Sequence, residues 1–147
     1  MATDLIYQSS KTYAHSVGLS CCFRQWRAES HCNKLHGYTL KVEVVFEDEL
    51  DERNWVQDFG DLKALKDWLT HNFDHKTLVA VDDPEFDTFQ QLAVKGIIDV
   101  RFVPAVGCEK FAEQIFKWLD ERDYMVKSVQ VWEHEANSAK VIRRDSE

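Results

Sequence analysis

Cys32-Asn33-Lys34-Leu35-His36-Gly37-Tyr38-Thr39-Leu40-Lys41-Val42-Glu43-Val44-Val45-Phe46 is the stretch whose pattern organises the rest of the protein. From Tyr38 the residues alternate: Tyr38, Leu40, Val42, Val44 and Phe46 fall on one side, Thr39, Lys41, Glu43 and Val45 on the other. Alternation of this kind is the signature of a strand with one buried face. His36 has the parity of the apolar set, so its side chain is expected to point with that face.

Upstream, residues 5 to 23 carry the β-favouring Ile6, Tyr7, Tyr13, Val17, Leu19 and Phe23 and are interrupted near Gly18, which predicts a long or bent strand. Downstream, residues 47 to 53 are acidic and turn-like. After Asp58-Phe59-Gly60, the spacing of Leu62, Leu65, Trp68 and Leu69 predicts an amphipathic helix ending near Asn72, with Asp61 suited to its positive end. The segment 79 to 103 reads as a long connection. Within it Asp82-Asp83-Pro84 marks a turn, and Phe86 to Val94 predicts a short helix.

A second long helix is expected from Cys108 to Glu121, with Phe111, Ile115, Phe116 and Leu119 on its apolar face. The sequence ends in β structure, where Val129 and Val131 lead to Glu133-His134. Two strands, helix, loop, helix and two strands make an α+β domain, with the two helices packed on one face of an antiparallel sheet.

A chain of 147 residues, 44% hydrophobic and 12% aromatic, with five glycines and two prolines, is long enough for one core and too apolar for disorder. A single domain over 1–147 is expected. Eighteen basic against twenty-six acidic residues give a net charge of −8, and no run of Lys and Arg forms the stripe a general nucleic-acid binder needs. No run of about 18 apolar residues suggests a membrane span, and Met1 to Ile6 lacks a basic region followed by an apolar one. A cytoplasmic protein without a membrane or nucleic-acid partner is the expectation. Cys21, Cys22, Cys32 and Cys108 show no paired spacing, so reduced thiols are expected.

His31 and His36 flank Cys32 at the strand entrance, dense enough to weigh as a site. Imidazole is a common zinc ligand, and a catalytic zinc takes three protein ligands. A histidine at the edge of a core explains each equally well. Cys32 is a candidate nucleophile or base, and Asp74-His75 is a pair in which a carboxylate can hold an imidazole for proton transfer. Glu133 and Glu109 are charged groups at element ends, although an acidic residue such as Glu109 also stabilises a helix N-terminus without any other role.

Taken together, these stretches resemble the family of 6-pyruvoyl-tetrahydropterin and 6-carboxy-tetrahydropterin synthases, as a divergent, bacterial- or phage-like member. Cys32-Asn33-Lys34-Leu35-His36-Gly37-Tyr38 resembles the family's Cys-x-x-Leu-His-Gly-His. Val56-Gln57-Asp58-Phe59-Gly60-Asp61-Leu62-Lys63 resembles its Val-x-Asp-Phe-x-x-Leu-Lys, and Phe73-Asp74-His75-Lys76-Thr77-Leu78 its Leu-Asp-His-x-x-Leu. Gly107-Cys108-Glu109 sits where the family has a turn ending in Glu, and Val131-Trp132-Glu133 resembles its pterin-anchoring strand.

The resemblance implies the tunnelling or T-fold, a ββααββ unit whose sheets close into a barrel in a homo-oligomer built on trimers, up to a hexamer, with active sites at subunit boundaries. It implies a zinc-dependent lyase acting on 7,8-dihydroneopterin triphosphate. The favoured product is 6-carboxy-tetrahydropterin, for a queuosine-type 7-deazaguanine pathway. The alternatives are 6-pyruvoyl-tetrahydropterin synthesis and a non-catalytic pterin-binding oligomer. It also implies Cys32, Asp74 and His75 as catalytic groups, and Glu133, Glu109 and Cys108 as substrate contacts.

The family's zinc histidines are matched unevenly. Tyr38 stands where the last is expected. The first is either His15, through Tyr13-Ala14-His15, or is replaced by Phe23, through Leu19-Ser20-Cys21-Cys22-Phe23-Arg24. His15, His31 and His36 are the expected metal ligands, with His134 as a further candidate. The length of 79–103 points to a lid or an altered pocket.

Overall fold

The structure, a computed structural model, describes residues 4–145. The stretch quoted above forms β3 (His36–Asp48), and the alternation decides its faces: Leu40, Val42, Val44 and Phe46 are completely buried. The predicted bent strand is β1 (Tyr7–Tyr13) and β2 (Leu19–Phe23), which lie one after the other along one edge of β3. Tyr13 pairs with Val42 and Leu19 with Leu40. Between them His15–Val17 make a short 3-10 turn closed by Gly18 at φ +87°, a left-handed conformation that glycine adopts without penalty.

Along the other edge of β3 runs β6 (Val126–His134), antiparallel, followed by β7 (Asn137–Ile142). Helix α1 (Lys63–Phe73), entered through a 3-10 turn at Phe59–Leu62, buries Leu65, Leu69 and Phe73. The third helix, α3 (Cys108–Glu121), buries Phe111, Ala112, Ile115 and Leu119. These side chains meet those of β2, β3 and β6 in one core. Phe111 is its junction, making edge contacts with Phe73 at 5.5 Å and Phe23 at 5.1 Å between ring centres.

The expected all-antiparallel sheet with two helices is corrected in the segment read as a long connection. Residues 76–103 form β4 (Lys76–Ala80), α2 (Phe86–Val94) and β5 (Val100–Val103), which add two parallel strands beyond β2. The sheet is therefore mixed and seven-stranded. Thr77 through Ala80 are buried consecutively, so this strand carries no alternation to betray it. The expected helix at Phe86–Val94 is present, as the crossover between β4 and β5. In the single chain the sheet stays open, β1 and β7 flanking the antiparallel run β1-β3-β6-β7. Among the described residues no helix is long and apolar enough to cross a membrane, and all four cysteines are free thiols.

Candidate functional site

Tyr38 stands at the centre of a group drawn from four parts of the fold. It shares the core-facing side of β3 with His36, near the strand's start, and its ring lies 5.1 Å from that of His36 and 5.8 Å from that of Phe23. Its phenol is pushed above the ordinary value, first by burial and then by the electrostatic effect of Glu133, followed by those of Cys32 and Cys108. Those three groups therefore share its neighbourhood. Glu133 has the parity of the buried Val129 and Val131 on β6, and its Oε1 accepts a hydrogen bond from Asn137 at 3.3 Å.

Cys108 opens α3 beside this carboxylate. Burial first, then Glu133 and Glu109, push its thiol up to about 12, partly offset by a backbone hydrogen bond from Glu133. Cys21, buried in β2, is likewise pushed up to about 12 by burial. Both are neutral near pH 7, which leaves them as packing or hydrogen-bonding groups rather than nucleophiles.

Cys32 is half-buried in a one-turn 3-10 segment, His31–Asn33. Two adjacent residues, which no sequence motif singles out, hold this turn. The Gln25 amide donates to the Cys32 carbonyl at 2.9 Å, and Arg24 Nη1 donates to the Asn33 carbonyl at 3.1 Å. Arg24 is itself fixed by two hydrogen bonds to Asp83, at 2.9 and 2.7 Å, so the turn before α2 bears on the Cys32 segment. Only Asp82-Asp83-Pro84 as a turn was visible in advance. The pairing joins residues 59 positions apart.

The Gln25 side chain reaches the Val106 carbonyl and lies against Gly107, where a Cβ would stand 2.5 Å from Gln25 Nε2. Gly107 has φ +112° and ψ 163°, a region essentially reserved for glycine. Gly107→Ala is expected to cost about 1–3 kcal/mol, read as a lower urea midpoint. A midpoint equal to that of the parent protein would show that the turn before α3 relaxes freely.

Asp74 and His75 are paired, His75 Nδ1 lying 2.8 Å from Asp74 Oδ1. The His75 backbone is left-handed at φ +58°, and its amide donates to the Ser20 carbonyl at 2.6 Å. The imidazole is 85% exposed, along a shallow groove with Ser20, Cys22 and Gly37. By strand alternation these residues face away from the side that carries Phe23, His36 and Tyr38. The chain thus presents Cys32, Glu133, Glu109 and Cys108 at one place and Asp74-His75 at another. A groove of about 490 Å³ between β1 and residues 54–60, lined by Tyr7, Trp55 and Phe59, includes none of these residues.

The histidines expected to bind zinc do not converge. Phe23, not His15, is the residue paired with His36 across β2 and β3. His15 Nδ1 lies 2.5 Å from the Thr39 carbonyl, and its Nε2 approaches Glu135 at 3.3 Å without hydrogen-bond alignment. His31 is exposed on the Cys32 turn. The ring nitrogens of His134 lie 3.1 Å from the Ala136 amide and 3.1 Å from the Asn137 side chain. Among the described residues no three His, Cys, Asp or Glu side chains are grouped so as to hold a metal ion. The donor set does not fit zinc.

The sequence model of the family described as 6-pyruvoyl tetrahydropterin synthase matches residues 13–144. The protein belongs to the 6-pyruvoyl tetrahydropterin synthase family. It is 34% identical over 106 residues to a putative 6-carboxy-5,6,7,8-tetrahydropterin synthase of Archaeoglobus fulgidus, a match covering 66% of the present sequence and 92% of that protein. It is 26% identical over 147 residues to the 6-carboxy-5,6,7,8-tetrahydropterin synthase of Aquifex aeolicus, covering 91% and 87%.

Among solved structures, an uncharacterised protein from Wolinella succinogenes superposes with a TM-score of 0.81 at 22% identity, covering 96% of the present sequence and all (100%) of that one. The 6-pyruvoyl tetrahydropterin synthase of Caenorhabditis elegans superposes at 0.62 with 15% identity, covering 95% and 96%. At these identities the superpositions speak for the fold, which is the T-fold of this synthase family.

Proposed function

We propose that this member of the 6-pyruvoyl tetrahydropterin synthase family binds a reduced pterin and acts on its side chain as a lyase, with 7,8-dihydroneopterin triphosphate as substrate. The observation that carries the reading is Glu133, a half-buried carboxylate on the inner face of β6, beside Tyr38 and the start of α3. A carboxylate accepts paired hydrogen bonds from the amino and ring N–H groups of a pterin, which orients a flat heterocycle. Glu109 and Cys108 border the same place.

In the lyase reaction a C–H or O–H group of the substrate's side chain gives up its proton, and the triphosphate leaves with the electron pair of its carbon–oxygen bond. A 6-carboxy product further requires that the bond between the first and second side-chain carbons break, with water supplying an oxygen of the carboxylate and the two outer carbons leaving as acetaldehyde. Cys32 is the group placed to receive the proton, and His75, oriented by Asp74, the group to return one. Because Asp74-His75 faces away from Tyr38 in a single subunit, it would serve the site of a neighbouring copy. This reading makes the protein a homo-oligomer, and trimers closing the open sheet through β1 and β7 fit it. The names of the two relatives above favour 6-carboxy-tetrahydropterin over 6-pyruvoyl-tetrahydropterin as product, and with it a 7-deazaguanine pathway of the queuosine type.

The test is to supply the purified protein with 7,8-dihydroneopterin triphosphate and follow release of triphosphate and the pterin products by chromatography. Glu133→Gln is expected to weaken binding of neopterin about 10- to 100-fold, the loss of a charge-assisted hydrogen bond. Fluorescence quenching of the pterin reads this directly, and an unchanged affinity would remove Glu133 from the site. A second reading, pterin binding without turnover, is favoured by Phe23 and Tyr38 standing where the resemblance implies zinc ligands. It is distinguished by binding that yields no product.

A further inference from the structure

Phe23, His36 and Tyr38 form a triangle of rings at the entrance of β3. Phe23 and His36 are paired directly across β2 and β3, and Tyr38 follows His36 on the same face. The ring centres are 5.5 Å apart for Phe23 and His36, 5.8 Å for Phe23 and Tyr38, and 5.1 Å for His36 and Tyr38. Three imidazoles bound to one tetrahedral zinc, at Zn–N distances of about 2.0–2.1 Å, would have ring centres roughly 5 Å apart. The triangle therefore has the dimensions of a three-histidine cage.

Its chemistry is different. Phe23 carries no donor atom and is 1% exposed, so no solvent ligand reaches its corner. Tyr38 offers a phenol in place of an imidazole, and a neutral phenol is a poor ligand. His36 alone keeps ligand form. Its Nδ1 lies 2.7 Å from the Lys34 carbonyl, an acceptor only, so that nitrogen is the donor and Nε2 is the one left to face a metal. A single imidazole supplies too few contacts for a stable zinc site.

We infer that this site is metal-independent: the three-residue cage keeps its shape but has lost two of its donors, and it takes its pterin through ring contacts and hydrogen bonds alone. The ring of His134, 6.0 Å from Tyr38, extends the aromatic surface toward Glu133 on the same strand end. The ligand is taken from the proposed pterin reading, so metal and ligand are measured separately.

Zinc content of the full-length protein, purified from zinc-supplemented cells, is read by elemental analysis with no pterin present. The wild-type protein is expected to hold well under one zinc per subunit, and the Phe23→His/Tyr38→His double variant about one. About one zinc in the wild-type protein that disappears in His36→Ala would overturn the inference. Zinc that survives His36→Ala lies elsewhere and leaves this site metal-free, in support.

Phe23 is deeply buried, so the double variant requires a circular-dichroism check of its fold. If it does not fold, Tyr38→His at the half-buried corner provides the gain of binding, expected as weaker zinc uptake lost on His36→Ala. No uptake by any folded histidine variant would refute the cage geometry. Neopterin titrations with and without EDTA then read the ligand part. Equal affinity supports metal independence, and a loss of about tenfold or more on chelation contradicts it. Failure of neopterin to bind under both conditions sinks the pterin reading and with it the ligand part of the inference, while the zinc counts still decide the metal part.

Discussion

Arg24→Met is expected to lower the free energy of unfolding by about 3–5 kcal/mol, the cost of breaking a buried ion pair from one side. The Asp83 side chain is 1% exposed, and Arg24 meets both its oxygens, Nε to Oδ2 at 2.9 Å and Nη2 to Oδ1 at 2.7 Å. Methionine keeps much of the stem's volume but strands the carboxylate, left only with the Glu85 amide at 2.8 Å. Removing both charges, as in Arg24→Met/Asp83→Leu, should recover most of the loss, because an apolar pair of similar volume has no desolvation cost to offset.

The pH dependence follows from the same contact. The hydrogen bonds from Arg24, against an opposing effect of burial, hold the Asp83 carboxyl below its ordinary value. A carboxyl lowered in the folded state stabilises it fully above the unfolded pKa of about 3.9, and that contribution is lost as pH falls toward the folded value. Urea unfolding of the parent protein should therefore weaken on acidification below about pH 4, and Arg24→Met should weaken less steeply. A loss under about 1 kcal/mol at neutral pH, within the range of an exposed pair, would show that water reaches Asp83 once Arg24 is gone.

Cys32→Ala is expected to reduce turnover of 7,8-dihydroneopterin triphosphate by at least about 100-fold, the lower range for losing a proton-transfer group. Stability should move by no more than about 0.5 kcal/mol. The structure explains the asymmetry: the contacts that hold the turn are made by the backbone of Cys32, its amide to Ser30 Oγ at 3.3 Å and its carbonyl to Gln25. Alanine preserves both. A drop of about 2 kcal/mol, typical of a lost core side chain, would instead mark the thiol as packing.

What could be read in advance depended on how local its cause was. Leu40 through Phe46 alternate because one face of β3 is buried, and α3 announced itself through Phe111, Ile115 and Leu119, so both were legible from short windows. The parallel strands were not. Lys76 and Thr77 are placed by Cys21 and Cys22 on β2, more than fifty positions earlier, and a strand buried on both sides has no period of two.

The site divides in the same way. Cys32, His36, Tyr38 and Glu133 belong to short stretches that could be matched directly. Whether His15 or Phe23 faced His36 depended on strand register, which the Phe23–His36 pairing decided. Arg24 and Asp83 were invisible because their meaning lies in each other.

The hydrogen bond from Gln25 to Cys32 closes a ring of backbone around Trp26 to His31. Trp26 and Arg27 are moored to Asp82 at one end of that ring, and Ser30 is tied to Cys32 at the other. Between them the Ala28 amide donates to the Gln25 carbonyl at 2.9 Å, so the turn is closed as far as Ala28 and the span set by neither anchor is at Glu29. Doubling the length of such a loop costs only about 0.6 kcal/mol. Residues can thus be gained or exchanged there, beside the Cys32 turn, without disturbing the thiol itself. The hydrogen bonds that hold the Cys32 turn are thereby kept apart from the stretch whose length can vary.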